Sequence, residues 1–148
     1  MPTMQVSRKV DYALRAVIYL SQQGGSRPLS AKEIASRRRI PIKFLEKIVR
    51  DLMHHGIVES RRGAHGGYTL SRLPSQITFR EVIEAIEGPI SLNVCVAGQK
   101  DCSVLSSCNM QRVWQEGQRR VLEYFSETTL ADLTDSSNPV NTTPGAPV

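Results

Sequence analysis

The feature that most constrains the fold is a change of period at Gly56. Before it, Ile42, Leu45, Ile48, Val49 and Leu52 recur at helical spacing; after it, "IVESRR" and "YTLSR" alternate like short strands. Between the strands, "GAHGG" supplies the glycines of a turn. A helix that runs straight into a tight hairpin must find cover for its apolar stripe in other helices, and the chain upstream has two. Val10, Ala13, Leu14, Val17 and Ile18 mark the first, which "QQGGSRP" ends. Ser30-Ala31-Lys32-Glu33 opens the second as a capping box, with Ser30 accepting from the amide of Glu33 and the Glu33 carboxylate reaching back.

"SRRR" closes the second helix, and Ile40-Pro41 breaks the chain, with Pro41 suited to the first turn of a third. Two helices with a tight break between them, followed at once by a hairpin, predict a winged helix-turn-helix. The expected fold is therefore mainly α with a small β-hairpin wing.

Beyond the wing, Thr78-Phe79-Arg80-Glu81 is a second capping box, and Phe79, Val82, Ile83 and Ile86 turn inward until Gly88-Pro89. A long helix is predicted from about Asn109 to Phe125. Along it, Met110, Trp114, Gly117, Val121 and Tyr124 approach an a/d seam, widened by Val113, Leu122 and Phe125. Such a seam needs a partner, most economically its copy in a second subunit. "TTLADL" adds one more turn, and the polar, Pro-rich end reads as disordered. The expected organisation is a winged helix-turn-helix DNA-binding domain with its supporting helix over 1–88 and a cysteine-bearing loop over 89–108. A dimerisation helix and end turn follow over 109–135, then a tail over 136–148.

Charge follows the same division. Residues 1–72 hold 14 Lys or Arg against five acids, and residues 73–148 hold five against nine. A basic half joined to a mildly acidic one suggests a polyanion-binding module attached to something else. Pro41, Lys43, Phe44, Glu46, Lys47 and Arg50 are the third-helix positions that its apolar stripe does not need. Such a helix suits the major groove of double-stranded DNA. Glu46 either accepts a bond from a cytosine amino group or pairs with Arg50 one turn on. On the wing, Arg61, Arg62 and His65 suit a narrow minor groove, and Gly66 and Gly67 let the backbone approach it. No cofactor-binding motif and no nucleophile–base pair beyond the cysteines appears, so an enzyme is not expected. No apolar run approaches the roughly 20 residues that cross a bilayer, and the amphipathic start is unlike a signal peptide. A cytoplasmic, reducing setting is expected.

All three cysteines, Cys95, Cys102 and Cys108, fall in "CVAGQKDCSVLSSC". Three thiols cannot all pair as disulfides, and as soft ligands they suit an iron–sulfur cluster or zinc. Their spacing is wider than the C-x2-C knuckles of structural zinc, which favours the larger group. A thiol-redox switch is the alternative.

"DYALRAVIYL", "FLEKIV", "GIVESRRGAHGGYTLSR" and "FREVIEAIEGP", followed by the three-cysteine loop, resemble the IscR/NsrR/RirA family of bacterial winged-helix regulators over roughly residues 5–135. The resemblance implies a homodimer through the long helix, an inverted-repeat operator and an iron–sulfur cluster as sensor of redox state, nitric oxide or iron supply. It implies a transcriptional regulator, read as a repressor. It gives Glu46 an operator-reading role and sends Arg62 into the minor groove. Members of the IscR type carry a histidine three residues after the third cysteine, where this chain has Gln111. Members of the NsrR type use an aspartate on the first helix, supplied by the partner subunit, and the matching residue is Asp11. A 4Fe–4S cluster is therefore favoured, with 2Fe–2S as the alternative.

Overall fold

The computed structural model describes residues 4–23, 27–98 and 102–134. Among the described residues, six helices and one hairpin run in the order α1 (Arg8–Gln22), α2 (Ala31–Arg38), α3 (Ile42–His54), β1 (Val58–Arg61), β2 (Gly67–Leu70), α4 (Phe79–Glu87), α5 (Gln111–Glu127) and α6 (Leu130–Thr134). Short 3₁₀ turns lie at Pro74–Gln76, Val94–Val96 and Leu105–Ser107. The expected tail over 136–148 lies outside the described residues.

Local chemistry explains most boundaries. Ser7 starts α1 by accepting from Val10 N at 3.2 Å, and Ser30 starts α2 by accepting from Glu33 N at 3.1 Å. The second half of the predicted box at Ser30 is replaced. Arg27 donates to both Glu33 oxygens at 3.1 and 2.8 Å, a charge-assisted fork that a neutral backbone amide does not match. At α4 the box is complete: Thr78 Oγ1 accepts from Glu81 N at 3.1 Å, and Thr78 N donates to Glu81 at 2.9 Å. Pro41 stands one place earlier than expected, as the N-cap of α3, where its missing N–H goes unneeded. Gly56, at φ +69°, takes the left-handed turn that separates α3 from the hairpin.

In the wing, Val58 pairs with Leu70 and Arg61 with Gly67 in antiparallel register. A third segment joins it: Leu29 N donates to Tyr68 O at 3.0 Å, and Tyr68 N to Leu29 O at 2.8 Å. A Cβ at Gly67 would stand 2.5 Å from Leu29 O, so the bridge requires glycine there.

Helix α1 runs through the centre of the core, with Val10, Ala13 and Val17 fully buried beside Leu29, Ile34, Leu45, Ile48 and Leu52. Helix α6 returns to the same core. Leu130 is fully buried, its N–H donates to Ile77 O at 2.9 Å, and the Ser21 and Thr134 hydroxyls share a hydrogen bond. The end turn expected at the close of 109–135 is α6, and it packs against α1.

The predicted seam of α5 divides into two faces. Phe125 packs edge-on against Phe79 at 5.0 Å. A side chain at Gly117 would meet Leu92 at 3.4 Å. Gln118 holds the segment before the cysteine loop by donating to Ile90 O at 2.6 Å and accepting from Leu92 N at 3.0 Å. Met110, Val113 and Tyr124 point outward instead, 61%, 65% and 56% exposed. No described helix is long and apolar enough to cross a membrane.

Candidate nucleic-acid interface and cysteine loop

Helix α3 buries Leu45, Ile48, Val49 and Leu52, and its 3.6-residue period sends Lys43, Glu46, Lys47 and Arg50 to the other side, where all four are exposed. None of the four side chains makes an ion pair or hydrogen bond with another described residue. The Glu46–Arg50 pair that one helical turn permits is therefore not made. Several charges elsewhere are matched: Arg72 with Glu81 at 2.9 Å, Arg80 with Glu84 at 3.1 Å and Arg119 with Glu123 at 2.7 Å.

Phe44 lies to one side of this strip. Its ring meets Tyr12 edge-on at 5.9 Å, and on the same flank Lys9 bridges to Asp51 at 2.7 Å. These contacts lock α3 to α1 and fix the strip's direction. Nothing in the helical periodicity of either segment predicts them.

At the wing tip Arg62 and His65 are exposed, and Arg62 has no described partner. Arg61 leans toward Glu59 at 3.5 Å. Gly66 and Gly67 have reasons within the chain, since a Cβ at Gly66 would stand 2.4 Å from Arg61 O. The hairpin needs both glycines before any ligand arrives.

The titration of the acids describes the scaffold. Arg27's hydrogen bonds hold the Glu33 carboxyl below its ordinary range. Burial raises that of Glu81, but the Thr78 N–H and Arg72 outweigh it, and the net displacement is downward. Arg119 and Arg120 hold Glu116 down to about 2.

Cys95, Cys102 and Cys108 are all free and half-buried. Cys95 sits in a turn that Asn93 caps by accepting from Val94 N at 2.8 Å. Cys108 precedes α5, beside Gln111 and Arg112. Among the described residues, no three His, Cys, Asp or Glu side chains converge as a metal site; residues 99–101 of the same loop lie outside them. Asp11 is paired with Arg15 at 2.6 Å on α1. His54 and His55 end α3, and His65 lies on the wing. The donor set nonetheless fits an iron–sulfur group in its chemistry: three unpaired thiols in one loop, partly open to solvent.

The model of the Rrf2 family, described as an iron-dependent transcriptional regulator, matches residues 6–136. The chain belongs to the Rrf2 family. It is 32% identical over 142 residues to the rrf2-like HTH-type transcriptional regulator of Rhodobacter capsulatus, covering 90% of this chain and 95% of that one. It is also similar to the structure of CymR, the global cysteine regulator of B. subtilis. There the TM-score is 0.76 at 33% identity, over 93% of this chain and 100% of that one. The structure of T. potens IscR matches with a TM-score of 0.73 at 32% identity, over 96% and 94% of the two chains.

Relatives across this range are named transcriptional regulators, not enzymes. In this Rrf2 chain the side chains of the exposed α3 strip have no ion-pair partner among the described residues. The structure brings Lys43, Glu46, Lys47 and Arg50 onto one face and sets Phe44 aside. It does not bring Asp11 to the cysteines among the described residues of one Rrf2 chain.

Proposed function

We propose that this Rrf2 regulator binds an inverted-repeat operator as a homodimer and represses transcription from it. Lys43, Lys47 and Arg50 engage phosphates and Glu46 a base edge, while Arg62 enters the minor groove. The observation that carries this reading is the unpaired, exposed strip on α3, opposite a fully packed face. Met110, Val113 and Tyr124 supply the apolar surface for pairing α5 with its copy. Selection of purified protein on randomised duplexes tests this: an inverted repeat is expected, and a single asymmetric half-site would overturn the dimeric reading. Binding must also weaken steeply with salt, since phosphate neutralisation releases counterions.

The sensor in this reading is an iron–sulfur cluster held by Cys95, Cys102 and Cys108, with Asp11 of the partner subunit as the exchangeable fourth ligand and 4Fe–4S as the favoured type. Such a cluster supplies a centre that reacts with oxidants and nitric oxide and is lost under iron limitation. Asp11 lies on α1, which is fastened to α3 through Lys9–Asp51 and Tyr12–Phe44. A changed position of α1 therefore reaches the DNA-facing strip directly. Anaerobic purification with iron, sulfide and zinc counted per subunit decides the cofactor. About four iron and four sulfide support this set, and about two of each leave a 2Fe–2S centre with another fourth ligand. A second reading keeps the DNA binding and makes the three free thiols a zinc or thiol-redox switch. Zinc, or no metal at all, would establish that one.

A further inference from the structure

The turn into α3 carries a second concentration of positive charge, separate from the strip. Arg15, Ile18 and Gln22 of α1, Arg37 and Arg38 of α2 and its C-cap Arg39 line one open groove. Four of these six are guanidinium groups, and none is a carboxylate. The nearest acids are already engaged: Asp11 meets Arg15 at the rim, and Glu33 is taken by Arg27. The side chains of Arg37 and Arg39 make no hydrogen bond or ion pair with a described residue, although Arg37 lies near enough to Glu33 to help hold its carboxyl down.

Arg38 is built into the wall. Its guanidinium lies over the Tyr19 ring at 4.6 Å and donates to Gln22, while its Nε is buried with no hydrogen-bond partner. Unsatisfied buried donors are rare and call for an explanation. Arg39 closes α2 in the left-handed region at φ 52°, ψ 51°, a conformation that residues with a Cβ avoid. Three consecutive arginines at the C-terminal end of a helix are eased by its dipole, and Arg37 by Glu33, but they still repel one another.

We propose that this groove binds a backbone phosphate of the DNA duplex just outside the stretch that α3 reads. The inference rests on the DNA-binding reading above. Arg39 is four residues before Lys43, so their Cα atoms lie within about 15 Å at full extension, close to the ~12 Å width of a major groove. With Lys43 at the groove, the arginines stand beside a flanking sugar–phosphate strand. The Tyr12–Phe44 contact holds α1 against the start of α3, so both walls of the groove keep that position. In helix-turn-helix proteins the helix before the recognition helix crosses the backbone, and guanidinium groups match phosphate oxygens in pairs. The groove is open across two helices, which suits a strand passing over it.

The test uses the full chain and a mixed-sequence duplex of about 40 base pairs, with affinity followed by fluorescence anisotropy across a salt series. Arg37→Gln/Arg39→Gln is expected to lower the log–log salt slope by about 0.9 per protomer, one phosphate's worth. Arg37→Lys/Arg39→Lys keeps the charge and is expected to restore the slope. An unchanged slope in the glutamine variant, with Lys47→Gln lowering it, overturns the groove and leaves the DNA-binding reading intact. A slope lost equally in the lysine variant also overturns the phosphate contact, because charge is then not what matters. Absence of salt-dependent binding by the unmodified chain would overturn both readings.

Discussion

On α3, Leu45, Ile48, Val49 and Leu52 are buried to within a few per cent, and the charges opposite them stand without partners. On α5 no residue is buried. Four of its charges, Glu116, Arg119, Arg120 and Glu123, are paired along its own length, while Met110, Val113 and Tyr124 face outward. Both helices leave one face uncovered, and the two faces suit opposite partners. A face of unpaired cations is stable in water and gains from a polyanion that releases counterions. An apolar face whose charges are already matched gains from removal of its surface from water. In the proposed function DNA binding and subunit pairing use different helices, and α4 packs on both α1 and α5.

The contrast can be broken most severely through its buried side. Leu52→Ala should lower unfolding free energy by about 2–5 kcal/mol in urea denaturation. Val113→Ala, measured at protein concentrations where the chain is monomeric, should stay within about 0.5 kcal/mol. Comparable losses would mean that α5 is buried in the monomer after all. Next in size is Val113→Glu, which places a carboxylate in the proposed subunit seam and costs about 1–3 kcal/mol per protomer. Analytical ultracentrifugation should show the dimer dissociating while helix content is kept, and a dimer of unchanged affinity would remove Val113 from the interface.

The charged sides are compared by pairs of variants. Lys47→Ala and Arg50→Ala should each reduce the salt slope of DNA binding by about 0.9 per protomer. Arg119→Ala and Arg120→Ala should leave it unchanged, and equal effects from both pairs would abolish the distinction. The smallest effect is on acidification. Glu116 is held at about 2, against an ordinary 4.5, by its two arginines. Its contribution to folding is fully present above pH 4.5 and is lost as the pH falls toward 2. Amide exchange in α5 should therefore quicken in acid over that window. Glu116→Gln should flatten the change, and a profile identical in both proteins would show that the network adds nothing to the helix.

Much of the fold was legible because its signals are local. The stripe of α3, the break at Pro41, the turn at Gly56 and the box at Thr78 each involve residues within a few positions of one another, where periodicity and capping act. The candidate site was legible in the same measure. Lys43, Glu46, Lys47 and Arg50 are the residues left over once the apolar face of α3 is assigned. Contacts across the fold left no such trace. A single Leu29–Tyr68 bridge has no period, Phe44 gives no sign that Tyr12 will meet it, and Arg27's claim on Glu33 crosses a loop.

By itself, the sequence determined the elements, their order and the polarity of each face, because these follow from side-chain chemistry repeated at the spacing of a helix or strand. Tertiary structure alone decided which faces meet. It brought Leu130 back to the first core, divided the expected α5 seam between Phe79 and solvent, and gathered Arg15 with Arg37, Arg38 and Arg39. The physical reason is that burial and charge pairing depend on distance in space, and residues far apart along the chain become neighbours only once the helices pack.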